Sequence, residues 1–137
     1  MQYQLDVASG YKAVLGEGPV WDNRKNVLYW IDSLDNKVFI FDPKTRDNKY
    51  YDVGQNVGTV VLTEKDNEVI VGLEDGLYIL NLDTGKLSFT VDPEKGIDGN
   101  RLNDGKADAK GRIWIGSMSI SDNGVEGYDT SYKCNLH

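Results

Sequence analysis

Short runs of β-branched and aromatic residues return along this chain at a period of about forty residues, and that spacing limits what the chain can fold into. Trp30 in LYWID, Val71 in VIVGL and Ile115 in IWIGS hold equivalent places, at steps of 41 and 44 residues. A second landmark keeps the phase: IFDPKTRDNKYYDV begins at Ile40 and ILNLDTGKLSFTVD at Ile79, a step of 39. Both contain an Asp/Thr hairpin turn. The runs themselves, Val27 to Ile31, Val38 to Phe41, Val57 to Leu62, Val69 to Gly72, Leu77 to Leu80 and Ile113 to Gly116, lie between turn clusters and read as strands. No segment carries the 3.6-residue apolar period of a helix, and 15 glycines would weaken one.

A period four strands long is the signature of propeller blades, whose middle strands are covered on both faces and so lose simple alternation. The predicted fold is all-β: a partial β-propeller of about three four-stranded blades. A plain β-sandwich is the alternative, but it does not demand the same turn chemistry at the same phase. We expect a single domain over 1–137, with the repeat over 16–119 and a divergent tail over 120–137 that holds the only Cys and the only His. Closed propellers typically have about 4 to 8 blades, so three periods do not close a ring.

Composition removes several classes of function. The formal charge is −7, from 22 acidic and 15 basic residues, and no Lys/Arg run exceeds two, so nucleic acid is not expected as a partner. No apolar run approaches the roughly 18 residues that span a bilayer, and residues 1–15 lack a basic segment followed by an apolar one, so neither a membrane anchor nor an export signal is expected. With Cys134 alone, no internal disulfide can form and the cytoplasm is the default location.

Two motifs carry chemistry. Gly16-Glu17-Gly18-Pro19-Val20-Trp21 places a carboxylate, a hard oxygen donor suited to a divalent ion, at the entrance of the first repeat. Asn100-Arg101-Leu102-Asn103-Asp104-Gly105 precedes the third repeat's innermost run, offering a rigid guanidinium fork and amides that suit a ligand bearing hydroxyl and carbonyl oxygens. The plain reading of Asn103-Asp104-Gly105 is a turn. Asp104 and Asp108 both read as structural turn residues. Asp32 ends the apolar run LYWID and is a candidate for facing the channel. Trp21, Trp30 and Trp114 read as filling space between blades.

The strings GEGPVWD at 16–22, LYWID at 28–32 and NRLNDGKADAKGRIWIGSM at 100–118 resemble the N-terminal half of the senescence marker protein, gluconolactonase and regucalcin family. That resemblance implies a six-bladed propeller that hydrolyses sugar lactones with one divalent cation (Ca²⁺, Zn²⁺, Mn²⁺ or Mg²⁺) in its central channel. By the same resemblance Glu17 is a metal ligand and Arg101 and Asn103 hold the substrate. An Asn ligand and an Asp that is both ligand and general base belong to later blades, so the 137-residue chain by itself is expected to be inactive. Two other readings follow from the same residues: a non-catalytic calcium-binding or interaction module, and self-association of two halves through open blade faces.

Overall fold

The computed structural model describes residues 2–121, and among them there are ten strands and no helix. Strands β1 (Gly16–Asp22), β2 (Val27–Asp32), β3 (Lys37–Phe41) and β4 (Asn48–Asp52) form one antiparallel sheet in sequence order. Strands β5 (Val57–Leu62), β6 (Glu68–Leu73), β7 (Gly76–Asn81) and β8 (Leu87–Val91) form a second in the same order. Strands β9 (Asn100–Ala107) and β10 (Ile113–Ser119) form a third, two-stranded sheet. The innermost strands β1, β5 and β9 stand side by side, as in a propeller. The chain is a partial β-propeller: two complete blades and the inner half of a third. The rest of the tail, 122–137, with Cys134 and His137, lies outside the described residues.

Turn chemistry repeats with the blades. In the β3–β4 hairpin the Lys44 N–H donates to Asp42 Oδ1 at 2.8 Å, and in the β7–β8 hairpin the Asp83 N–H donates to Asn81 Oδ1 at 3.0 Å. Each turn closes through a left-handed residue, Arg46 (φ 62°) in the first and Gly85 (φ 74°) in the second. These are the two Asp/Thr turns found at equal phase in the sequence. Short side chains that accept backbone N–H groups two residues on make such turns reliable.

Two apolar interfaces hold the blades together. Between the first and second sheets, Tyr29, Ile31, Val38, Val60, Val71 and Leu80 are buried. Between the second and third, Val61, Ile70, Leu77, Leu102, Ile113 and Ile115 are buried. Alternate residues of β5, β6 and β7 therefore serve opposite interfaces, which is why their apolar runs are continuous.

The face of the first blade turned away from the second carries an aromatic row. Trp30 stacks on Phe39 at 4.1 Å between ring centroids, Phe39 meets Tyr50 at 5.7 Å, and Tyr11 from the N-terminal segment lies 4.6 Å from Phe39. None of the three tryptophans lies between two described blades: Trp30 is half-buried against Phe39 and Tyr11 on the first blade's outward face. Trp21 and Trp114 are 44% and 42% exposed, because each points from an outermost sheet toward the open side of the ring.

Candidate functional site at the inner strand entrances

Each inner strand breaks register at the same level. In β1, Glu17 pairs with Ile31 and Val20 with Tyr29, so Gly18 and Pro19 together oppose Trp30. In β5, Val57 pairs with Leu73 and Thr59 with Gly72, leaving Gly58 as the extra residue. In β9, Leu102 pairs with Ser117 and Gly105 with Ile115, so Asn103 and Asp104 oppose Gly116. Bulges of this kind unpair a residue and re-aim its side chain, and they are common beside active sites. Here the bulged residues Gly18, Gly58, Asn103 and Asp104, with Glu17, line one cavity of about 330 Å³.

The three strands meet closely there. A Cβ on Gly58 would lie 2.6 Å from the carbonyl oxygen of Asn103 and 2.8 Å from its Cα, so only glycine lets β9 approach. The next residue ties the same two strands: the buried hydroxyl of Thr59 donates to the Gly105 carbonyl at 2.8 Å. Gly18 takes a left-handed conformation (φ 58°), which turns the chain just after Glu17.

Glu17 and Asn103, singled out from sequence, thus come to one cavity wall from different blades. Arg101 does not line it. Its side chain is buried at 8% exposure, and its Nη1 donates to the Leu102 carbonyl at 3.3 Å. Residues 100–103 do not precede the innermost strand of the third blade, as the sequence suggests; they belong to it, and the Ile113 run is the second strand. Asp104 likewise stands in a strand and in the cavity lining, not in a turn. Asp108 is a turn residue as expected. Arg112 Nε donates to its Oδ2 at 2.5 Å and Trp114 Nε1 to the same oxygen at 3.2 Å, and the Arg112 guanidinium holds its carboxyl far below the usual carboxylate range.

Asp32 does not reach the cavity. It is fully buried at the end of β2 and turns its carboxylate toward the N-terminal segment. The Val14 N–H donates to Oδ2 at 2.9 Å and the Leu15 N–H to Oδ1 at 3.0 Å, while the Tyr11 hydroxyl donates to Oδ2 at 3.1 Å. Burial alone would raise its pKa, yet the Leu15 and Val14 amides, the Tyr11 hydroxyl and the Asp35 amide together hold it below the ordinary value. The Asp35 and Asp32 carboxylates that accept its proton push the Tyr11 phenol up to about 12.

The cavity's oxygen donors are the carboxylates of Glu17 and Asp104 and the amide of Asn103. In kind they fit a hard divalent cation, which takes carboxylate and carbonyl oxygens. In number they fall short of the six or more that Ca²⁺ takes, and among the described residues no three His, Cys, Asp or Glu side chains converge. A cation held here needs further ligands.

A Bacillus subtilis protein provisionally named the sugar lactone lactonase YvrE is 34% identical over 125 residues, covering 91% of this chain and 42% of that protein. The 6-deoxy-6-sulfogluconolactonase of Pseudomonas putida is 33% identical over 106 residues, covering 77% of this chain and 36% of the relative. In three dimensions the chain resembles a regucalcin of Agrobacterium tumefaciens, described as a calcium-binding protein, with a TM-score of 0.77 and 24% identity over 83% of this chain and 38% of that one. The chain spans about two fifths of the length of these relatives. Residues 15–136, which include most of the segment after the last described strand, match the SMP-30/Gluconolactonase/LRE-like region, and the chain belongs to that family.

Proposed function

We propose that the chain forms part of a sugar-lactone hydrolase, the part that grips one side of a divalent cation and of the lactone. The observation that carries this reading is the shared cavity, to which Glu17, Gly58, Asn103 and Asp104 come from three successive inner strands through aligned bulges. The lactonase names of two relatives support the substrate class, and the calcium-binding description of the regucalcin supports a divalent ion.

Glu17 would hold the ion by its carboxylate, and Asn103 would offer an amide oxygen to the ion or an N–H to a lactone oxygen. When bound, a divalent ion polarises the lactone carbonyl and stabilises the developing oxyanion. Arg101 is buried beside Leu102, so its contribution to substrate requires its guanidinium to turn from the Leu102 carbonyl. The general base and the remaining ligands are assigned to blades beyond those described. A missing base alone forfeits roughly 10²- to 10⁴-fold in rate.

Titrating Ca²⁺, Mn²⁺ or Zn²⁺ into the purified chain, followed by backbone NMR, tests this. The expected result is perturbation centred on the amides of Glu17, Gly18, Asn103 and Asp104, abolished by Glu17→Gln, with aldonolactone hydrolysis at least about 100-fold below that of a complete relative. Cation binding elsewhere, or binding indifferent to Glu17→Gln, would overturn the reading.

A further inference from the structure

The rung that carries Glu17 is short and isolated. Only Gly16 and Glu17 pair with β2 ahead of the bulge, opposite Asp32 and Ile31, before the ladder resumes at Val20. On the side of the bulge the backbone is turned by Gly18, so the lower part of β1 gives Glu17 little orientation. What holds the rung must therefore come from the other side, from residues 11–15.

That segment has no strand of its own, and its bonds to the first blade fall chiefly on Asp32, with the Tyr11 hydroxyl also donating to Asp35 Oδ2 at 2.7 Å. Asp32 accepts the N–H groups of Val14 and Leu15 on different carboxylate oxygens, and the Tyr11 hydroxyl and the Asp35 N–H complete its shell at 3.1 and 3.3 Å. One backbone bond adds to this, from the Ser33 N–H to the Leu15 carbonyl at 2.9 Å. Two of the amides fixed by Asp32 lie only two and three residues ahead of Glu17. Gly16 is set down between them and the cavity, with Ala13 and Trp30 close beside it.

We propose that Asp32 is a positioning residue for Glu17: its carboxylate staples residues 11–15 to the end of β2 and so fixes the two-residue rung that directs Glu17 into the cavity. The proposal rests on the assignment of Glu17 to the cation. A carboxylate is needed because Asn offers a single acceptor oxygen where Val14 and Leu15 use two. Burial makes the need stricter, since a donor left unpaired there is costly.

Asp32→Asn is the test, read in two independent ways against Asp22→Asn, which alters the buried carboxylate at the opposite end of β1. In the cation-free chain, hydrogen exchange at Val14, Leu15 and Glu17 is expected to quicken about 10-fold in Asp32→Asn and to stay unchanged in Asp22→Asn, with β6 and β7 as internal reference. Cation affinity at the Glu17 cavity is expected to fall about 10-fold in Asp32→Asn only, and Asp32→Asn is expected to cause no further fall in a Glu17→Gln background. Tyr11→Phe, which removes one of the four bonds to Asp32 together with the Tyr11–Asp35 bond, is expected to show the same pattern at about 2- to 3-fold and serves if Asp32→Asn does not fold, with Asp35→Asn as the control for the second bond. Unchanged exchange at Glu17, or equal losses of affinity in the Asp22 and Asp32 variants, would overturn the proposal. If exchange responds as expected while Glu17→Gln leaves cation binding intact, the hold on the rung stands and it is the cation assignment that fails.

Discussion

At the scale of single residues, the site depends on what is missing as much as on what is present. Gly58 carries no functional group, yet its lack of a side chain lets the β9 backbone reach the level of Glu17. Gly58→Ala forces a Cβ to within 2.6 Å of the Asn103 carbonyl oxygen, backbone that cannot rotate away. The expected cost is about 1–3 kcal/mol of stability, the usual range for overpacking, together with loss of the cation-dependent shift at Asn103. Urea unfolding and the NMR titration measure the two parts. A variant as stable as the parent would show that β9 is not pressed against β5 at this point.

At the scale of elements, the hairpin ends and the N-terminal strap are anchored by buried carboxylates. Asp22 accepts the Arg24 N–H at 2.8 Å across the β1–β2 turn, as Asp32 does the amides of the strap. Burial pushes both groups upward, but the bonds from Arg24 in one case and from Leu15, Val14 and Tyr11 in the other leave both pKa values depressed. A carboxylate with a depressed folded-state pKa adds stability that is fully present above its unfolded value of about 3.9 and is lost as pH falls through the folded value. Stability is thus expected to fall with acidification below about pH 4–5. Asp22→Asn and Asp32→Asn should each flatten that acid limb, as followed by unfolding curves across the range. An acid limb unchanged from the parent's in both variants would mean that other carboxylates carry it.

At the scale of the whole molecule, the apolar side chains exposed on the outward faces of the first and third described sheets lead to a prediction about association. Trp21 faces outward from the first blade, and Trp114 and Met118 from the third, whose β10 ends the two-stranded sheet. Exposed apolar faces and unpaired edges favour association. Concentration-dependent self-association of the chain is expected, and Trp114→Lys should weaken it; sedimentation of the two proteins decides, and a monomer at all concentrations would refute it.

The sequence made the ring legible through its middle strands, because Trp30, Val71 and Ile115 recur at one place, with Val71 and Ile115 buried and Trp30 half-buried. It concealed the outer strands and two of the inner ones, β1 and β9, for a physical reason, whereas the inner strand β5 is legible from its apolar run. Outer strands such as β4, Asn48–Asp52, are half in solvent, and the inner strand β9 turns Asn103 and Asp104 into a cavity, so both lack apolar runs and β9 imitates a turn. Glu17 and Asn103 could be found from motif alone. Gly58 and the aligned bulges could not, since register is a property of two strands.

The aromatic row on the first blade also makes the chain optically asymmetric. Of the three indoles, Trp30 alone is stacked, with its Nε1 donating to Asn48 Oδ1 at 3.1 Å and the Tyr11 ring edge-on at 5.9 Å, while the indoles at 21 and 114 meet water. Undocking the strap would take the Tyr11 ring off Trp30 and bring water to that indole, so a shift in indole emission is expected to report whether the strap is docked.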